Sequence, residues 1–268
     1  MTPFTRSFVD PDDPRVAAYR GVRDPQLARL NGLFIAEGRL VVRRVIESGH
    51  RVRSVLVNDA ARNALEPLLD ALEAPVYVCD SAAIAAITGY NIHRGCLALV
   101  ERPDPVAPGE IVERARTIVA LEDVANADNV GGVFRNAAAF GAAVLLSPRC
   151  CDPLYRKAIR TSMGAVLTVP WARIDDWPAG LFALRERGFT IAALTPREPA
   201  LALETFAAGR NPSRVVLVAG TEGAGLSAAV GTNADCRVRI PIATAVDSLN
   251  LAVAVGIALS RLASRPGE

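Results

Sequence analysis

The sequence predicts an α/β protein in two parts, the larger built on a parallel sheet, and three observations carry that prediction. Over the first hundred residues, helix-like and strand-like hydrophobic periodicity alternates in short segments. A cluster of prolines follows near residue 105. Beyond it, short continuous apolar runs recur between helical or irregular stretches, the pattern of strands buried on both faces.

Taken in order, Leu40, Val41, Val45 and Ile46 fall on one face of a helix closed by Gly49, and a strand follows at 54–57. A second helix is expected over 60–72, a strand at 76–78, a short helix over 82–87 and a last strand at 96–100. The stretch Arg102-Pro103-Asp104-Pro105-Val106-Ala107-Pro108-Gly109 propagates neither kind of ladder, because three prolines and a glycine interrupt it. The expected division is a first domain over 1–103, a linker over 104–113 and a second domain over 114–268. In the second domain, strands are expected at 118–121, 144–146, 191–194 and 215–219. A helix opens near Asn129, where Asp128 and Asn129 supply capping side chains ahead of Val130, Val133, Phe134, Ala137 and Ala138. The final helix, 249–262, is apolar almost all round, so it must be covered on one side by the core and on the other by a second subunit.

A chain of 268 residues with 51% hydrophobic content has material for two cores. It has no apolar leader-like region and no apolar run of membrane-spanning length, which points to a soluble cytoplasmic protein. Cys79, Cys96, Cys150, Cys151 and Cys236 include no Cys-x-x-Cys pair, and His50 and His93 stand apart from any zinc-like spacing, so no metal is expected. Cys79 and Cys96 read as small buried hydrophobes, and adjacent Cys150 and Cys151 as reduced thiols.

The net charge of +2 does not announce a nucleic-acid binder, but its distribution is uneven. Ten arginines face six acids through Arg53, and Arg149, Arg156, Lys157 and Arg160 meet only Asp152. Lys157 is the sole lysine, so nearly every cation is a guanidinium suited to bidentate phosphate contact. A GC-rich genome produces the same bias.

Gly223-Ala224-Gly225-Leu226-Ser227-Ala228 has the form of a dinucleotide fingerprint after a strand. A Rossmann domain carries that fingerprint in its first βα unit, whereas here one strand and one helix remain, and Asp235 precedes the next strand instead of closing it. No Lys-Ser/Thr follows, which excludes a P-loop. A turn requiring positive φ explains one of these glycines more readily than three. Asn129 and Arg135 lie six residues apart, about one and two-thirds helical turns, and so not on one stripe. A plain helix cap and a solvated arginine account for them, as an ordinary helix start accounts for Asp247-Ser248.

The three segments Asn129-Val130-Gly131-Gly132-Val133-Phe134-Arg135, Ala219-Gly220-Thr221-Glu222-Gly223-Ala224-Gly225-Leu226-Ser227, and Ile240-Pro241-Ile242 with Asp247-Ser248-Leu249-Asn250-Leu251 occur in that order. Together they resemble the motifs of the SpoU (TrmH-like) RNA ribose methyltransferases of the SPOUT superfamily. The resemblance implies methyl transfer from S-adenosylmethionine to a 2′-hydroxyl of RNA, ribosomal RNA being favoured over transfer RNA, by a homodimer without membrane attachment. It also implies a SPOUT-type parallel sheet with a trefoil knot, which no periodicity would propose. Phe34-Ile35-Ala36-Glu37-Gly38 and His93-Arg94-Gly95-Cys96-Leu97-Ala98 resemble the L30e-like, RNA-binding α/β domain that many family members carry ahead of the catalytic one. A transfer-RNA 2′-O-methyltransferase and a catalytically silent RNA-binding protein of the same fold are the alternatives, while a nicotinamide-dependent oxidoreductase rests only on the glycine match.

Carried over residue by residue, the resemblance implies catalytic roles for Asn129, Arg135, Glu222, Ser248 and Asn250. It implies cofactor contacts at Leu194, Thr195, Ala219, Gly220, Gly225, Ile240, Ile242, Ser248 and Leu249. Thr161-Ser162-Met163-Gly164-Ala165 resembles the family's Ser-x-Gly-Ala segment, and with the local charge surplus it makes Arg156, Lys157 and Arg160 candidate RNA contacts, to which Arg39 and Arg94 of the L30e-like segments are added. Since a guanidinium stays protonated in proteins, Arg135 is expected to hold a phosphate and stabilise developing negative charge instead of acting as a free base.

Overall fold

The computed structural model describes residues 5–7, 10–20, 24–89, 92, 95–209, 213–243 and 245–263. They form two compact units, one of Met1–Asp104 with Leu154–Leu167 and one of Pro105–Pro153 with Thr168–Glu268. Among the described residues no helix is long and apolar enough to cross a membrane.

The first unit runs β1 (Thr5–Ser7), a 3-10 helix at Pro14–Tyr19, α1 (Asp24–Asn31), β2 (Leu33–Glu37), α2 (Arg39–Glu47), β3 (Val52–Val57), α3 (Asp59–Asp70), β4 (Val76–Val78), α4 (Ser81–Thr88) and β5 (Cys96–Glu101). Its sheet order is β1-β4-β3-β5-β2, with β5 antiparallel to both neighbours and the rest parallel. Asn58 and Asp80 start α3 and α4 by accepting from the amides of Ala61 and Ala83, and Gly89 ends α4 in the left-handed conformation. The core gathers Val16, Tyr19, Ile35, Leu56, Ile84 and Leu97. The Tyr19 hydroxyl within it is matched by Ser54 Oγ at 2.8 Å, and burial raises its pKa. Burial likewise pushes the Cys79 thiol up to about 11 and the Cys96 thiol up to about 12, as befits packing groups.

The second unit opens with α5 (Pro108–Arg114), β6 (Thr117–Glu122), α6 (Ala127–Phe140) and β7 (Ala143–Leu146). Here α5 corrects the expected linker. Pro108 occupies the first turn, where its missing N–H costs nothing, and Ile111 and Val112 are buried in the core, so the structureless part is 102–107. The chain then leaves this unit, because Leu154–Leu167, which holds α7 (Arg156–Thr161), belongs to the first one. The expected continuous domain over 114–268 is therefore interrupted. α7 packs on β2, burying Ala158 and Ile159, and Asp24 receives both the amide and the Nε of Arg156. No hydrophobic period in 114–268 distinguishes a segment that packs on its own domain from one that packs on another.

The chain returns through β8 (Trp171–Arg173), α8 (Ala179–Phe182), β9 (Thr190–Leu194), β10 (Leu201–Ala202), α9 (Leu203–Gly209), β11 (Val215–Gly220), α10 (Ala228–Asn233), β12 (Cys236–Arg239) and α11 (Leu251–Leu262). Seven strands, all parallel, lie in the order β10-β12-β9-β11-β6-β7-β8. The four strongest apolar runs, β6, β7, β9 and β11, form its inner part, as parallel strands covered on both faces require. All strands end on one edge, where ligand crevices of open α/β sheets form.

In a fragment spanning 105–268 the segment 154–167 loses the residues it packs on. Trypsin is expected to cut such a fragment first at Arg156, Lys157 or Arg160, while the intact protein resists at those bonds; equal resistance of both would contradict the assignment of this segment to the first unit.

Candidate functional site

At the sheet's C-terminal edge, β11 and β6 end in register with Gly220 opposite Glu122. After Gly220 the chain turns back on itself. Thr221 and Gly225 pair, with the Gly225 amide donating to Thr221 O at 2.9 Å. Gly223 and Gly225 take φ of +82° and +73°, while a Cβ on Gly220 would lie 2.3 Å from the Gly225 carbonyl oxygen. The three glycines thus have separate jobs, two positive φ values and one close backbone approach.

Glu122 secures this loop from below. Its side chain is buried and accepts three hydrogen bonds, from Ser227 N and Ser227 Oγ and from Trp177 Nε1, each at 2.8 Å. Ser227 in turn caps α10. Sequence reasoning passed over Glu122 and Trp177. The available signal was an acid closing an otherwise apolar strand, since a buried carboxylate requires dedicated donors.

A second set of bonds joins the other two motifs. Asn126, not Asn129, caps α6, accepting from the Asp128 amide, so Asn129 is a buried residue within the helix. Its Oδ1 accepts from Asn250 Nδ2 at 2.9 Å, and the same amide nitrogen donates to Glu222 Oε1 at 3.2 Å. Asn250 Oδ1 meanwhile accepts from the Ala252 and Val253 amides, which makes Asn250 the cap of α11 and starts that helix at Leu251 instead of 249. The cap dictates which end of the Asn250 amide is oxygen and thereby aims its nitrogen at Asn129 and Glu222.

Contact between α6 and α11 depends on small residues. A Cβ on Gly132 would lie 2.6 Å from the Ala252 Cβ, and one on Gly256 would lie 2.9 Å from Asn136 Nδ2, which donates to Ala252 O. On its other side α11 leaves Val253 51% exposed.

Between the glycine loop and the segment before α11 lies a cleft of about 770 Å³. All of the expected cofactor residues line it: Leu194 and Thr195 at the end of β9, Ala219, Gly220 and Gly225 around the loop, and Ile240, Ile242, Ser248 and Leu249 on the return. Glu222 and Asn250 line it too, whereas Asn129 touches it only through Asn250. Arg135 does not. It stands exposed on α6, and among the described residues it makes no hydrogen bond or ion pair. Backbone edges and small side chains dominate the lining, which fits a nucleoside-bearing cofactor that must lie close to main-chain donors and acceptors.

The expected RNA contacts Arg39, Arg156, Lys157 and Arg160 all belong to the first unit, and Arg94 lies outside the described residues. The Arg156 guanidinium is engaged by Asp24 at 2.8 Å. Asp123, next to Glu122, has its carboxyl held below the usual range by the hydrogen bond from Arg149.

Residues 116–260 match the model of the SpoU rRNA Methylase family. The chain is 40% identical over 254 residues to an uncharacterized tRNA/rRNA methyltransferase of Mycobacterium tuberculosis, covering 93% of this chain and 88% of that protein. Among solved structures, an AdoMet-bound rRNA methyltransferase from Sinorhizobium meliloti superposes with a TM-score of 0.79 at 25% identity, covering 96% of this chain and 97% of that one. The SpoU methyltransferase AviRb from Streptomyces viridochromogenes, in complex with AdoMet, shares the fold with a TM-score of 0.75 at 23% identity, over 93% and 96% of the two chains.

Replacing Glu122 by Gln puts an amide donor against the Ser227 or Trp177 donors. We expect Glu122→Gln to lose about 1–3 kcal/mol in urea unfolding, with faster amide exchange over 221–227; unchanged exchange there would show that the carboxylate does not hold the loop.

Proposed function

Because the chain belongs to the SpoU family of S-adenosylmethionine-dependent RNA methyltransferases, we propose that it methylates a ribose 2′-hydroxyl of ribosomal RNA, acting as a homodimer in the cytoplasm. The observation that carries this reading is the Asn129–Asn250–Glu222 cluster at the rim of the cleft, which ties all three motifs together by hydrogen bonds. In this proposal the cleft holds the cofactor along Gly220, Ile240 and Leu249, the stretch between β12 and α11 is the threaded part of a trefoil knot, and the first unit is an L30e-like RNA-binding domain.

When bound, S-adenosylmethionine supplies a methyl group already activated on a sulfonium. The chain's own task is orientation and charge. A ribose hydroxyl is a weak nucleophile, so the site must hold it in line with the methyl and accept the negative charge that grows on its oxygen. In this reading Glu222 and Asn250, the latter held by Asn129 and by the start of α11, fix the hydroxyl, and Ser248, which lines the same cleft, assists them. The Arg135 guanidinium holds an RNA phosphate next to the reacting oxygen. It does not line the cleft of its own chain, so we assign it to the cleft of the partner copy. The exposed Val253 on α11, a helix packed against α6, supports an interface on this side.

Ribosomal RNA treated with the protein and S-adenosylmethionine is expected to gain one alkali-resistant linkage, and the matching 2′-deoxy strand to accept no methyl. Arg135→Ala and Asn250→Ala should each remove that linkage, Arg135→Ala with cofactor affinity retained. Label recovered on a base overturns the ribose assignment. Mixing the two variants should restore part of the activity, since a mixed dimer contains one intact shared site; no recovery places Arg135 in its own chain's site. Val253→Asp should lower the mass seen by light scattering toward the 28.3 kDa of one chain; an unaltered dimer moves the interface elsewhere.

A further inference from the structure

The first unit contains a carboxylate with no hydrogen-bonding partner in view. Glu37 ends β2, and Gly38, at φ +93°, turns the chain directly into α2. Its side chain is only 6% exposed. Among the described residues nothing donates a hydrogen bond to it, and the nearest cation, Arg160 Nη1, stands 4.0 Å away. The Glu37 oxygens are not among the buried side-chain atoms left without a partner, so they meet solvent in the concavity beside them, and a ligand there must replace that solvent with donors of its own.

A concavity of about 310 Å³ adjoins it, with Glu37, Gly38, Arg39, Leu40, Arg160 and Met163 among its lining residues. Met163 is the second anomaly. It holds a left-handed backbone, φ +53°, that non-glycine residues rarely adopt, and it is partly exposed. Arg44 secures that conformation by donating from Nη1 to Met163 O at 2.8 Å. The result is a pocket with an acceptor-only carboxylate, an apolar and polarisable thioether, and two arginines.

We propose that this concavity is a nucleobase subsite that receives an unpaired guanine of the substrate RNA. The proposal rests on the RNA reading above and adds which base edge the first unit takes. Guanine presents two adjacent donors, N1–H and N2–H, which match the two oxygens of one carboxylate and give charge-assisted bonds. Cytosine and adenine offer one amino group each, and uracil a single imino donor, so none of them fills both oxygens. The Met163 thioether provides a face for the ring, and Arg39 and Arg160 suit the flanking phosphates. Recognition of this kind needs a base splayed out of its helix, the usual mode for sequence-specific RNA contacts.

The test uses the full-length protein and short single-stranded uridine oligomers carrying one guanosine, inosine, adenosine or cytidine, with binding read by fluorescence anisotropy at fixed salt. Inosine lacks only the N2 amino group. The guanosine oligomer is expected to bind about tenfold more tightly than the inosine one, and Glu37→Gln to bring that ratio close to one while S-adenosylmethionine affinity is unchanged. Equal binding of guanosine and inosine by the unaltered protein overturns the subsite, a result that does not depend on whether the variant folds. So does a guanosine preference that persists in a folded Glu37→Gln. Methyl transfer to ribosomal RNA, measured on the same preparation, separates the outcomes: transfer without base preference removes the subsite alone, whereas loss of both RNA binding and transfer removes the enzymatic reading as well.

Discussion

Glu122 is a charge at the end of a buried parallel strand, and the shape of the cleft depends on how that charge is satisfied. A carboxylate so placed must find donors within the fold, and it finds them in the Ser227 amide and hydroxyl and the Trp177 indole. Two of these three bonds come from the residue where the glycine loop becomes α10. The loop between Gly220 and Ser227 is therefore fastened at both ends, by strand pairing at one and by Glu122 at the other. Its residues can present backbone to the cleft because they are not free to collapse into it.

Helix α11 depends on a related economy of atoms. The Asn250 side chain starts the helix with its oxygen and reaches Asn129 and Glu222 with its nitrogen, so one amide orders both the fold and the rim of the cleft. That geometry requires α6 and α11 to come close, which Gly132 and Gly256 permit because any larger residue would strike Ala252 or Asn136. The double glycine of the first motif is thus explained in part by packing. A bulky residue at 132 would separate the helices and with them Asn129 from Asn250.

The segment Leu154–Leu167 follows a different logic, since it is continuous in sequence with the sheet domain and packed with the first unit. Its arginines divide accordingly. Arg156 is committed to Asp24, while Arg160 stands half-exposed at the mouth of the Glu37 concavity. Charge counts along the chain treat these two residues alike, and only their partners distinguish them.

What the sequence alone determined was the alternation of elements and the inner strands of the parallel sheet; the residues expected around the cleft came from the likeness of three segments to a family's motifs. Apolar runs are local signals, as are glycines that demand positive φ, and residues 194 to 250 supplied the whole expected cofactor lining. Local signals also misled. The prolines near 105 mark an irregular stretch, but Pro108 begins a helix, and the capping residue of α6 is Asn126 although Asn129 has the same chemistry. Tertiary structure alone decided that Asn129 meets Asn250 across 121 residues of sequence, that Arg135 lies off its own cleft, and that Glu122 and Glu37 are buried with such different company. The reason is that a hydrogen bond between distant residues leaves no period in the sequence; it exists only once packing has set the distance.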